Sequence, residues 1–154
     1  MLSESLKLYF ATWEHELRIK CQPHLKKEFK QGFLSGYKAC FGRVLDVDWS
    51  KCPVDFDILE QVVLARNRGQ HSENITDMSV NHSDNDRKRY PVPFFVSEHE
   101  KEMLETDELR IELWMYPSLK VTRETLFTAI EQVEMLGNWL EERMFDTLYP
   151  GRRG

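Results

Sequence analysis

The segment FDILEQVVLARNRGQH, residues 56–71, decides the fold expected for this chain. Its apolar residues recur three to four positions apart and predict one buried face of an α-helix: Phe56, Leu59, Val62 and Val63. Pro53 suits the first helical position, and Asp55 places negative charge near the positive end of the helix dipole. Gly69 is typical of a helix end. The segment therefore predicts an apolar helix that runs directly into Arg66.

Two helices are expected before this one. Residues 1–20 carry apolar side chains at helical spacing, and Pro23 interrupts the pattern. A second apolar stripe, at the same spacing, runs from Phe29 to Leu45. Gly32 and Gly36 within this stripe form a step of small residues that permits close approach of another helix.

Two helices are expected after it, one short and one long. Ser97 and Glu100 form a capping box, which predicts a short helix over Glu98–Glu105. Thr122 is a good N-cap for the last helix. One face of that helix is apolar for over five turns: Leu126, Ile130, Val133, Leu136, Leu140 and Met144. The chain is therefore expected to be mainly α, with about four main helices.

The stretch over about 72–118 has a different character and is interpreted as an insertion. It is polar and rich in turn-forming residues, and residues 81–89 are expected to form a mobile surface loop. Apolar and polar residues alternate over 109–116, which predicts a β-strand. Residues 75–80 or 94–96 are its expected partners. The fold class predicted is thus a helical bundle with a small β-containing insertion.

Composition limits the classes of protein that the chain can represent. Its 154 residues, 41% hydrophobic and 31% charged, fit a single globular domain over 1–154. A net charge of −5 argues against binding of nucleic acid through bulk charge, although a local basic site remains compatible with it. No apolar run is long enough for a membrane span, and residues 1–10 do not form a signal peptide, so a cytoplasmic location is expected.

The three cysteines of the chain, and the two histidines of the insertion, are expected to have no metal-binding or redox role. Cys21, Cys40 and Cys52 are odd in number and lack the Cys-x-x-Cys spacing of zinc or redox sites, so reduced, buried thiols are expected. His82 and His99 match no metal-binding spacing and are expected at the surface. No metal or other cofactor is therefore predicted.

The segment from Arg66 to His71 is where chemistry stands out. An arginine supplies a fixed, planar cation for phosphate oxygens, and a histidine moves protons near neutral pH. Cleavage of a phosphodiester by the neighbouring 2′-hydroxyl needs both groups. On an ideal helix Arg66 and His71 lie about 140° apart. They converge either because the helix ends between them at Gly69, or across a twofold axis between two copies.

This motif resembles that of the HEPN superfamily, in which Arg is followed after four to six residues by His, commonly with Asn directly after the Arg. Arg66, Asn67 and His71 fit that form, and a helix that enters through Val121-Thr122 fits the family context. The sequence departs from the family in its long insertion and in Gln70 and Ser72, which flank the histidine where small residues are usual.

The resemblance implies a helical bundle, often dimeric, and a metal-independent endoribonuclease of toxin, defence or RNA-processing type. His71 is then the general acid/base, Arg66 the phosphate clamp and Asn67 the positioning residue. A cyclic 2′,3′-phosphate is the expected product. The alternatives are an inactive HEPN module that binds RNA or a partner protein such as an antitoxin, and an interaction protein in which the motif is coincidental.

Four further basic residues are interpreted as contacts to an RNA backbone. Arg68 lies inside the motif, and Arg87, Lys88 and Arg89 form a run next to Tyr90. The simpler interpretation of the run is solvated surface in a polar loop.

Overall fold

The computed structural model describes residues 2–70, 80–106 and 117–151. In these ranges the chain forms seven α-helices: α1 Leu2–Glu16, α2 Lys26–Gln31, α3 Phe33–Leu45, α4 Phe56–Gln70, α5 Asp84–Arg89, α6 Glu98–Glu105 and α7 Arg123–Leu148. A 3₁₀ turn spans Trp49–Lys51. The predicted mainly α class is confirmed. None of the described helices is both long and apolar enough to cross a bilayer.

Only part of the segment predicted to contain β-strands lies within the described residues. Residues 109–116 and 75–79 lie outside the described ranges. Residues 94–96 form bends, so the prediction of a strand there is wrong. The described part of the chain has no β-strand, and its only ladder-type pairing is an isolated antiparallel bridge between Asn81 and Ser118. Single bridges of this kind tie two segments together without a sheet.

The chain divides into two compact units, Met1–Glu60 with Ile130–Gly154, and Gln61–Ala129. The first unit has an aromatic centre in which the rings of Phe10 and Tyr37 stack with centroids 4.4 Å apart. Tyr9 on α1 donates a hydrogen bond to the Gly137 carbonyl on α7 at 3.0 Å. Burial raises the pKa of Tyr9 to about 12, so its hydroxyl stays protonated and remains a donor at neutral pH.

One glycine splits the helix that was expected over residues 29–45. The buried carboxylate of Glu60 accepts the backbone N–H groups of Phe33 and Leu34, both at 3.0 Å, and so caps α3. A Cβ atom at Gly32 would lie 2.7 Å from Glu60 Oε1. The carboxylate therefore fits only because residue 32 has no side chain. Prediction of one continuous helix is wrong, since α2 ends at Gln31 and α3 starts at Phe33.

The ends of α4 differ from those predicted. Asp55 Oδ1 accepts the backbone N–H groups of Asp57 at 2.9 Å and Ile58 at 3.3 Å, so Asp55 acts as the N-cap. Pro53 therefore precedes the helix instead of opening it. Gly69 lies inside α4, which extends to Gln70, so a stop at Gly69 is also wrong.

The predicted caps of the last two helices are confirmed. α6 spans Glu98–Glu105 with the Ser97–Glu100 capping box formed, and the Thr122 hydroxyl accepts the Thr125 backbone N–H at 3.2 Å. The apolar face predicted for α7 is buried only in part. Leu136, Leu140 and Met144 are fully buried, whereas Leu126 is 42% exposed.

The expectation of three reduced cysteines is wrong. Cys21 and Cys40 form a disulfide with a Cα–Cα distance of 5.5 Å, and both are buried. Cys52 is not disulfide-bonded, and burial raises the pKa of its thiol. Because disulfides are rare in reducing compartments, this disulfide is unusual for the cytoplasmic location expected from the sequence.

The Cys21→Ser/Cys40→Ser variant is expected to lose about 3 kcal/mol of unfolding free energy, because a bridge across a sequence separation of 19 residues restricts the unfolded chain. Urea unfolding without reductant measures this loss. Cys52→Ser is the matched control and should change stability by less than about 1 kcal/mol. If thiol blocking at lysis labels all three cysteines of the wild type, the bridge is absent in cells.

Candidate functional site

The sequence motif lies at the C-terminal end of α4. Arg66, Asn67 and Arg68 are each half-buried there, and His71 lies outside the described residues. The Arg66 guanidinium donates from Nη1 to the Asn67 side-chain oxygen at 3.2 Å. An amide oxygen next to the guanidinium restricts its rotation without neutralising its charge. The described half of the motif is thus an oriented cation at a helix end.

Arg66 and Arg68 project from different faces of α4. Two residues along a helix are separated by about 160° around its axis. Arg68 shares one face with Gln61, Leu64 and Ala65, at the i, i+3, i+4 and i+7 positions. The motif therefore presents one arginine on each side of the helix.

Arg68 joins the motif helix to the basic run. Its Nε lies 3.2 Å from Asp86 Oδ2, and only 12% of the Asp86 side chain is exposed. Asp86 also belongs to the capping box of α5, in which the Ser83 hydroxyl accepts the Asp86 N–H at 3.1 Å. The expectation of a loop over residues 81–89 is therefore wrong, because the capped, ion-paired helix α5 occupies residues 84–89.

The three cations of α5 differ in their surroundings. Arg87 Nη1 lies 3.8 Å from the Asp84 carboxylate, and the Arg89 guanidinium lies 5.3 Å from the centre of the Tyr90 ring. Lys88 is exposed and forms no ion pair within the described part of the chain. The run is thus not a uniform patch, because each cation has a distinct environment.

An open groove lies beside α5. It has a volume of about 290 Å³ and is lined by Asp84, Arg87, Lys88, Pro91 and Leu104. Arg89 is not among its lining residues. The groove therefore combines two cations and one carboxylate with apolar surface from Pro91 and Leu104.

His82 is buried, so the prediction that placed it at the surface is wrong. Only 8% of the residue is exposed, and its Nε2 lies 2.9 Å from the Phe95 carbonyl oxygen. Because a carbonyl only accepts, Nε2 carries the proton and donates. A cavity of about 10 Å³, with space for about one water, adjoins His82, Arg68 and Asp86. His99 is exposed, as predicted.

Polar side chains on α4 and α6 tie segments of this second unit together through hydrogen bonds. Gln61 on α4 accepts the Phe94 backbone N–H at 2.7 Å. Glu100 on α6 accepts from the Ser118 backbone N–H and hydroxyl, both at 3.0 Å, in addition to its capping bond. Desolvation raises the pKa of Glu100, but hydrogen bonds from Ser97 and Ser118 outweigh it and hold the pKa below the ordinary value of 4.5.

Asp86 and His82 were not predicted from the sequence as parts of the site. Asp86 had a usable signal, since Ser83-x-x-Asp86 is a capping pattern of the same kind as Ser97-x-x-Glu100. His82 had no local signal, because its partner is a backbone carbonyl 13 residues away.

Comparison of the chain with protein-family models, with curated proteins and with solved structures gives no significant match. The resemblance to the HEPN superfamily therefore rests on the motif that ends α4 and on its helical context. Of that motif, Arg66 and Asn67 have described side chains and His71 does not. A function has to be inferred from the chemistry of these residues.

Glu100→Gln is expected to lower the unfolding free energy at pH 7 by about 1 kcal/mol, the usual scale for hydrogen bonds to a charged group in a partly exposed site. Since the folded pKa is below the ordinary value, the wild-type advantage is present above pH 4.5 and is lost as the pH falls through the folded pKa. Urea unfolding of the wild type and of Glu100→Gln at pH 7 and about pH 3 measures this difference in unfolding free energy. A difference that stays constant on acidification contradicts a lowered pKa of Glu100 in the folded chain.

Proposed function

We propose that the chain is a HEPN-type, metal-independent endoribonuclease that cleaves RNA by attack of the 2′-hydroxyl. The observation that carries this proposal is the Arg66 guanidinium held 3.2 Å from the Asn67 amide oxygen at the end of α4. A cation oriented in this way suits the phosphate of a strained, negatively charged transition state. A role in a toxin, defence or RNA-processing system in the cytoplasm is part of the proposal, and it requires the Cys21–Cys40 bridge to persist in a compartment where disulfides are rare.

In the proposed reaction His71 removes the proton of the 2′-hydroxyl. The 2′-oxygen then forms a bond to phosphorus, and the bond from phosphorus to the 5′-oxygen breaks. A histidinium returns the proton to that leaving oxygen, so the products are a 2′,3′-cyclic phosphate and a 5′-hydroxyl. Arg66 stabilises the charge on the phosphate oxygens, and Asn67 holds Arg66 in place.

A homodimer is proposed because members of the HEPN superfamily are often dimeric, with the two motifs at the interface. Arg66 continues the helix face of Leu59, Val62 and Val63, which the chain itself buries, so a partner would approach at the end of α4 and not along that face. A second copy at that end would bring two motifs together in one composite cleft, as in isologous contacts. Arg68, Arg87, Lys88 and Arg89 are proposed to contact the RNA backbone beside it.

A non-catalytic HEPN module is the second proposed function, and one observation favours a protein partner. Val121 and Phe127 are each 52% exposed, and Leu126 is 42% exposed. Clustered exposed apolar side chains are typical of surfaces that bind other proteins. An antitoxin or another component of a defence system fits this surface, and it would bind whether or not His71 is active.

RNA cleavage is expected to persist in EDTA and to fall by about 10²-fold or more in Arg66→Ala and in His71→Ala, since each removes a transition-state charge or the proton carrier. Turnover of a fluorescently labelled single-stranded RNA measures the loss. His99→Ala, a change at an exposed histidine on α6, is the matched control and should keep wild-type activity. Cleavage that requires a metal and survives both substitutions places the activity elsewhere.

The shared cleft makes a separate prediction. A mixture of Arg66→Ala and His71→Ala chains, dissociated and reassociated, should regain about a quarter of wild-type turnover if each site takes Arg66 from one copy and His71 from the other. Half of the dimers are then mixed, and one of the two sites in each mixed dimer is intact. The same mixture stays inactive if both residues of a site come from one chain.

A further inference from the structure

We propose that the groove beside α5 binds a single nucleotide, with its phosphate on Lys88 and Arg87 and its base against Pro91 and Leu104. This inference rests on the proposed function where the nucleotide belongs to an RNA strand. The volume of about 290 Å³ is close to the lower end of small-ligand sites in proteins, about 300 Å³.

The charges of the groove favour a ligand whose anionic group lies next to Lys88. Asp84 is also a lining residue, and its carboxylate lies 3.8 Å from Arg87 Nη1. That ion pair offsets much of the charge on Arg87, which leaves Lys88 as the main attraction for a phosphate. A lysine ammonium binds phosphate as a point charge, without the geometric demands of an arginine fork.

The apolar part of the groove supplies the second half of the recognition. Pro91 is exposed, and Leu104, which is 4% exposed, also lines the groove. A prolyl ring next to an aliphatic side chain is an apolar surface on which a nucleobase can lie, whereas inorganic phosphate would leave that surface in contact with water. A ligand that combines an anion with a planar apolar group therefore fits better than either part alone.

The position of α5 is fixed well enough to hold such a ligand. The Ser83–Asp86 capping box closes the helix start, and the Arg68–Asp86 ion pair ties it to α4. The groove-lining side chains of Lys88, Pro91 and Leu104 take part in neither interaction. Substitution of Lys88 should therefore change binding without unfolding α5.

Lys101 on α6 provides a matched control. It carries the same charge as Lys88 and is also exposed, yet it does not line the groove. Lys88→Gln and Lys101→Gln lower the net charge equally. A difference between them in ligand affinity therefore reports the groove and not the general electrostatic field.

Isothermal titration of the inactive His71→Ala chain tests the proposal with adenosine 5′-monophosphate, ribose 5-phosphate, adenosine and a single-stranded RNA decamer. We expect the monophosphate to bind more tightly than ribose 5-phosphate or adenosine. Lys88→Gln should weaken it about tenfold, the scale of one charge-assisted contact, while Lys101→Gln should leave it within about twofold. Pro91→Glu, which adds a carboxylate to the groove, should abolish binding, with melting temperature as the check on folding.

The outcomes separate this inference from the proposed ribonuclease. Equal weakening by Lys88→Gln and Lys101→Gln, or equal affinity for ribose 5-phosphate and the monophosphate, overturns the groove even if wild-type RNA cleavage is observed. Selective monophosphate binding without any cleavage supports the groove and refutes the ribonuclease. If the monophosphate binds and competes with the decamer, the site serves an RNA strand, whereas binding without competition indicates a free nucleotide.

Discussion

Two neighbouring polar side chains on α4, Glu60 and Gln61, satisfy backbone N–H groups on which the local structure of each unit depends. Glu60 accepts those that open α3, and Gln61 accepts that of Phe94. Both side chains are buried, where an unsatisfied backbone donor costs about 1–3 kcal/mol. One turn of one helix therefore sets where α3 begins in the first unit and where residues 93–96 lie in the second.

Features that depend on neighbouring residues could be predicted from the sequence, and features that depend on distant partners could not. The start of α6 at Ser97 and the cap of α7 at Thr122 are local patterns of three residues, and both were predicted correctly. The break at Gly32 depends on a carboxylate 28 positions away, and the burial of His82 depends on the Phe95 carbonyl. The Cys21–Cys40 bridge likewise depends on the packing of the bend at Cys21 against α3.

The same division applies to the site. The motif was visible in the sequence because Arg66, Asn67 and His71 are close along the chain. The separation of Arg66 from Arg68 onto opposite faces follows from helix geometry, because α4 extends over both residues. The link from Arg68 to α5 required a partner 18 residues away and an ordered helix where a loop was expected.

Net charge is a poor guide to where this chain can bind an anion. Exposed charges farther apart than about 8 Å are largely screened at physiological salt, so the total of −5 says little about any one groove. What matters is how the cations near α5 are neutralised. Asp86 pairs with Arg68 and Asp84 lies beside Arg87, which leaves Lys88 without an acidic partner in the described part of the chain. The acidic side chains of α5 thus weaken the attraction of Arg68 and Arg87 for phosphate more than that of Lys88, and this difference favours a specific contact over a diffuse basic surface.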